Sequence, residues 1–177
     1  MINKLNKLLK TKTMCEIYAD TNNTDKFIVG YVSGVDDEFC LITNFDYYGN
    51  YDGIICLTNN DIYRIQTNTR YITAIKKLMG KKNNLIVQSL PAKDILNTVI
   101  NQLANSKSIC QIELCDSEFV TLSGIIKTYD CQRGIVELEL IDDYGDSDGE
   151  TIIDVQTVNL ITYDSLDTKR LSILMSK

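Results

Sequence analysis

With no histidine among its 177 residues, the chain has carboxylates, thiols, tyrosine hydroxyls and lysines as its main chemical groups. That absence excludes the Ser-His-Asp and Cys-His arrangements, the zinc proteases and any histidine metal ligand. Carboxylates concentrate where Glu137, Glu139, Asp142, Asp143, Asp146, Asp148, Glu150 and Asp154 follow one another without a basic residue. Asp146–Glu150 looks at first like a calcium loop. It fails the EF-hand pattern, because Tyr144 stands where the first ligand belongs and Val155 where the bidentate glutamate belongs. A polar hairpin tip is the expectation, with Gly145 and Gly149 supplying turn conformations. The six cysteines, Cys15, Cys40, Cys56, Cys110, Cys115 and Cys131, include no Cys-x-x-Cys pair and lie mostly in apolar alternating segments. That suits neither a zinc knuckle nor a thioredoxin-like site, and predicts small, buried, reduced side chains. Gly49–Gly53 lacks the Lys-Ser/Thr of a phosphate loop. The expectation is a non-enzyme with no cofactor and no metal.

Two groups of side chains could bind rather than react. Tyr47, Tyr48 and Tyr51 share one hairpin tip, where they would form a contact surface or cover a sheet edge. Lys4, Lys7, Lys10 and Lys12 lie on one helical segment, and Lys76, Lys77, Lys81 and Lys82 at the end of another. Such lysines could meet phosphate or a membrane surface, or could be the wet face of a helix whose other side covers a core.

The composition is that of a globular protein, 44% hydrophobic and 24% charged with one proline, allowing one domain or two small ones. A net charge of −6 repels polyanions as a whole, so RNA is not the favoured partner. No apolar run reaches the ~18 residues of a membrane span, and the opening Met1–Lys4 lacks a signal-peptide pattern. A cytoplasmic protein without a membrane partner is expected.

The elements that must position these groups occur twice. Leu5–Cys15 runs parallel to Ile100–Cys110, 95 residues on. Gly30 and Asp36 correspond to Gly124 and Asp130, Tyr48–Gly53 to Tyr144–Gly149, Ile62 and Ile65 to Val158 and Ile161, and Ile75, Leu78 and Met79 to Leu171, Leu174 and Met175. Ile2, Leu5, Leu8 and Leu9 have helical spacing, as do Ile95, Leu96, Val99, Ile100 and Leu103 after Pro91, which suits a first turn. Five strands are expected in each copy. They are Met14–Tyr18, Phe27–Val35, Phe39–Phe45, Ile54–Leu57 and Asp61–Ile65, then Ile109–Leu114, Val120–Tyr129, Ile135–Ile141, Thr151–Val155 and Thr157–Ile161. Closing helices follow, one through Tyr71–Met79 with Gly80 as its cap and one over Asp167–Met175. Unit one spans 1–80 and unit two 92–177, joined by a linker over 81–91 in which Leu85–Val87 forms an extra extended piece. Val32, Val35, Leu41, Ile62 and Ile65 should fill the first core, and Ile126, Tyr129, Val136, Val158 and Ile161 the second.

A helix followed by five short antiparallel strands, with these residues, resembles the Sm-like fold. The first Sm motif places a glycine, spaced hydrophobics, an aspartate and then a hydrophobic residue before an asparagine. Gly30, Val32, Val35, Asp36 and Phe39 match it, and Gly124, Ile126, Tyr129 and Asp130 keep its core. The second motif, hydrophobics leading to Arg-Gly and an Ile-x-x-Ile strand, is echoed by Ile55–Ile65 and Thr151–Ile161. The resemblance implies a mainly β protein with flanking helices, built as two tandem small bent barrels. Its glycine would let a strand bend where a side chain would collide, and its aspartate would brace the following turn.

In the Sm family, the asparagine and the Arg-Gly line a pocket for an RNA base. Here those positions hold Cys40 with Thr58–Asn59, and Gly134 with Asp154–Val155. The resemblance therefore implies a scaffold without its usual RNA pocket, a non-enzymatic interaction or assembly module with a protein partner or self-association. The alternative is a divergent RNA-binding protein using the lysine clusters. Sm-like units expose strand edges that pair between subunits, so a ring of three chains is expected, with a dimer as the next choice.

Overall fold

The computed structural model describes residues 1–80, 93–115 and 121–176. The expected linker 81–91, with Lys81, Lys82, Leu85–Val87 and Pro91, lies outside these residues, as does Val120. The protein is mainly β, and the described residues form ten strands and four α-helices. It divides into two compact units, Met1–Ile95 and Leu96–Lys177.

The first unit opens with α1 (Ile2–Thr11), which buries Leu5 and Leu8, three residues apart on one helical face. Each contributes about 2 kcal/mol through burial. Lys12 ends the helix in the left-handed region, φ 46°. Then come β1 (Met14–Tyr18), β2 (Ile28–Val35), β3 (Phe39–Phe45), β4 (Tyr51–Thr58), β5 (Arg64–Thr67) and α2 (Arg70–Met79). The antiparallel order is β5-β1-β2-β3-β4. A hydroxyl starts α2, with Thr69 accepting from the Ile72 N–H at 3.1 Å, and Gly80 caps its end. Met14, Val29, Phe45, Ile72 and Ile75 form a core cluster between sheet and helix.

The second unit comprises α3 (Ile95–Ser106, whose first residue belongs to the first unit), β6 (Ile109–Leu114), β7 (Thr121–Asp130), β8 (Ile135–Ile141), β9 (Ser147–Asp154), a 3₁₀ turn (Val155–Thr157), β10 (Val158–Tyr163) and α4 (Leu166–Met175). Its strand order is β10-β6-β7-β8-β9, the same as in the first unit. Ser165 starts α4, accepting from the Thr168 N–H at 3.2 Å. Among the described residues no pairing joins β4 to β5 or β9 to β10, so neither unit's sheet is closed on itself.

The two units share irregularities as well as regular elements. Cys15 pairs with Gly30 and Cys110 with Gly124. The β2–β3 register shifts between Val32 and Gly34, and the β7–β8 register between Ile126 and Thr128. Lys12 and Lys107 both adopt positive φ, as do Asn68 and Asp164.

Several expected details differ. β4 and β9 begin earlier than expected, so Tyr51 and Ser147–Glu150 are strand rather than tip. Asp61–Tyr63 is not strand, because the Asp61 N–H turns back to the Thr58 carbonyl at 3.4 Å and β5 starts only at Arg64. Cys115 and Cys131 are exposed, whereas the other four cysteines are buried. Ile65, in the end strand β5, and Tyr129, one residue from the end of β7, are half-buried; the remaining expected core residues are buried.

Candidate functional site

The turn between β2 and β3 and the turn after β4 bring Asp36, Glu38 and Asn59 of the first unit together. One aspartate organises the junction. Asp36 Oδ1 accepts from the Glu38 N–H at 2.9 Å and the Phe39 N–H at 2.7 Å, fixing the turn, while Oδ2 accepts from the Ile95 N–H at 2.7 Å within the same unit. Asn59 closes the junction from the other side. Its N–H donates to the Glu38 carbonyl at 2.7 Å, and its side-chain amide donates to the Asp36 carbonyl at 3.0 Å. Asn59 is 5% exposed, and its Oδ1 has no hydrogen-bond partner among the described residues. Cys40, opposite Leu57 in the β3–β4 pair, is fully buried, and burial pushes its thiol well above the ordinary value. Neither side chain is presented outward.

The second unit repeats the turn with different occupants. Asp130 Oδ1 accepts from the Gln132 and Arg133 N–H groups, both at 3.1 Å. The Val155 N–H donates to the Gly134 carbonyl at 2.8 Å, and Asp154 caps the 3₁₀ turn by accepting from the Gln156 N–H at 2.9 Å. Asp154 is exposed, and its carboxylate would repel a polyanion brought near it.

The strand tips opposite these turns carry the expected tyrosines. Asp46 Oδ1 accepts from the Tyr48 and Asn50 N–H groups at 2.9 and 2.8 Å, and Asp142 Oδ1 accepts from Tyr144 and Asp146, both at 2.9 Å. Tyr47 and Tyr48 are exposed with ring centroids 3.9 Å apart, and their mutual hydrogen bond raises the Tyr47 hydroxyl's pKa. Tyr51 does not join them; it packs against the core cluster of the first unit. Lys4, Lys7, Lys10 and Lys12 are exposed on or just after α1, and Lys76 and Lys77 are exposed in the last turn of α2. The two lysine groups stand on different helices.

A buried polar cluster escaped the sequence reading. Glu16 in β1 is buried and accepts from the Tyr18 hydroxyl at 3.0 Å and from the Thr69 hydroxyl. Arg64 lies over the Tyr18 ring, 3.6 Å from its centroid, and the Tyr18 hydroxyl stands 3.2 Å from Gln66 Oε1. Desolvation, followed by the hydrogen bond to Glu16, raises the Tyr18 hydroxyl's pKa. The cluster ties β1 to the start of α2. In the second unit Gln111 occupies the matching position and donates to Asp167 Oδ2 at 2.9 Å.

Among the described residues no group of three or more His, Cys, Asp or Glu is arranged to hold a metal ion, and no helix is long and apolar enough to cross a membrane. Comparison with family models, curated proteins and solved structures returns no match.

Proposed function

We propose that the chain is a non-enzymatic assembly or interaction module made of two tandem Sm-like barrels, in which the base-binding pocket of that fold has been converted into structure. The observation that carries this reading is the inward-turned amide of Asn59. At one of the Arg-Gly positions the Asn59 amide is turned inward onto the Asp36 carbonyl, and at the asparagine position Cys40 is a buried thiol without a hydrogen-bonding edge to offer. The strand order within each unit, the bend glycines and the turn-bracing aspartates support the scaffold assignment. Fluorescence anisotropy with U-rich and A-rich oligoribonucleotides at physiological salt is expected to show no binding. Tight, salt-sensitive binding would overturn the reading.

Assembly is expected through strand edges. Among the described residues β5 is paired with β1 alone and β9 with β8 alone, and β9 exposes Ile152. Pairing these edges between copies would give a ring, most simply of three chains, or a dimer. Light scattering that finds only monomer at high protein concentration and moderate salt would exclude it.

One observation favours a second reading, RNA binding by the lysines: none of Lys4, Lys7, Lys10, Lys12, Lys76 and Lys77 takes part in an ion pair among the described residues. That reading requires Lys4→Glu, Lys7→Glu and Lys10→Glu together to abolish RNA binding and reduce its salt slope.

A further inference from the structure

The two strand tips are held by the same backbone device and carry opposite chemistry. In the first unit Tyr47 and Tyr48 are 64% and 59% exposed. Gly49 seats their tip on the last turn of α2, where a Cβ at that glycine would stand 2.9 Å from the Met79 nitrogen and 3.1 Å from the Ile75 carbonyl oxygen. Lys76, Lys77 and Leu78 are exposed on that same turn. The surface is aromatic, apolar and basic.

In the second unit Gly145 seats the tip on α4, close against Leu174 and Met175. Here a depression of about 470 Å³ opens, lined by Asp143, Tyr144, Asp146, Arg170, Leu174 and Met175. Arg170 is already engaged, donating to Asp167 Oδ1 at 3.1 Å and to the Asp143 carbonyl at 2.9 Å. The carboxylates of Asp143 and Asp146 form no ion pair among the described residues and leave the rim acidic. Leu174 and Met175 supply the depression's apolar lining.

We propose that these faces bind each other between copies: the Tyr47–Tyr48 pair of one chain enters the depression on the second unit of another, with Lys76 and Lys77 facing Asp143 and Asp146. A tyrosine ring gains from the thioether of Met175 and from the guanidinium plane of Arg170, and its hydroxyl remains wet at the rim. Opposite charge fixes the orientation and excludes pairing of like tips. The contact is heterologous, so each docked chain still offers one tip of each kind and association propagates to a ring or a filament. The proposal rests on the assembly reading but uses none of the residues of the β5 and β9 edges, and a contact this small is weak and salt-dependent.

Sedimentation velocity across a concentration range at low and high salt tests it on the full chain, with circular dichroism confirming that each variant is folded. The wild type is expected to associate with rising concentration and to dissociate in high salt. Lys76→Glu with Lys77→Glu, and separately Asp143→Lys with Asp146→Lys, should each weaken association by about tenfold or more. Mixing the two variants should restore association, since the acidic second tip of one then meets the basic first tip of the other. Tyr47→Ala with Tyr48→Ala should weaken association at low salt. Association indifferent to all these changes would overturn the proposal while leaving edge pairing standing. Absence of wild-type association, or failure of the mixture to associate, would also overturn it. So would single-stranded RNA binding through Lys76 and Lys77 without self-association.

Discussion

A Cβ atom on Gly30 would stand 2.1 Å from the carbonyl oxygen of Thr43, and the same relationship recurs between Gly124 and Glu139 at 2.2 Å. The obstacle in both places is backbone of the paired strand, which cannot turn aside. Gly30→Ala and Gly124→Ala should therefore each destabilise by at least about 2 kcal/mol, the range of forced overpacking. Gly34→Ala is the control, because its new methyl would meet the movable end of the Leu41 side chain at 3.2 Å. Urea denaturation should rank Gly34→Ala well below the other two.

Asp36 and Asp130 brace equivalent turns with unequal reach. Both accept two turn N–H groups, but Asp36 also accepts from Ile95. Replacing Asp36 by alanine should cost about 2–3 kcal/mol and replacing Asp130 about 1 kcal/mol. Equal losses in chemical denaturation would contradict the assigned role of the Ile95 bond.

Glu16 satisfies two hydroxyl donors from inside the fold. Glu16→Ala leaves both without that acceptor and should cost about 3 kcal/mol. Glu16→Gln should cost less, about 1 kcal/mol, since hydroxyl groups can turn to accept from an amide. The measurement is the thermal midpoint of each variant, which should fall in the order wild type, Gln, Ala.

Burial raises the thiols of Cys15 and Cys110 from 9.0 to about 12, and those of Cys40 and Cys56 also upward. Below pH 9 these thiols are protonated in both folded and unfolded chains and add no pH dependence. Between about pH 9 and 12 the unfolded chain loses thiol protons that the folded chain keeps. Stability should fall as pH rises there, by about 1.4 kcal/mol per pH unit for each buried thiol. Cys110→Ala should make that fall shallower. At pH 8 iodoacetamide should label the exposed Cys115 and Cys131 in the native protein and reach the other four only after unfolding; mass spectrometry counts the adducts.

What the sequence made legible was local. A glycine where a side chain would collide and an aspartate that braces the next turn leave local marks, and the structure shows the close approach at Gly30 and Gly124 and the bracing at Asp36 and Asp130. The starts of β4 and β9 were not legible, because Tyr51–Gly53 and Ser147–Glu150 carry few apolar side chains. Their strand character comes from partners such as Phe45 and Ile141. Tyr51 was read as tip for the same reason. Nothing local in Met14–Tyr18 marks Glu16 as buried, since one hydroxyl it accepts from belongs to Thr69, 53 residues away. Asn59 likewise shows its inward turn only when two distant loops meet.

Asp46 and Asp142 each brace a strand tip through bonds from its backbone N–H groups, joined at Asp46 by the Asn50 side-chain amide, and neither carboxylate bonds to a side chain at 47, 48, 143 or 144. The shape of the loop is thus uncoupled from its chemistry. Mutations at positions 47, 48, 143 and 144 can change charge and aromaticity with little loss of folding stability, so recognition there can drift or be redesigned under a constant backbone. That freedom makes the two tips suitable places to graft a new binding specificity onto this chain.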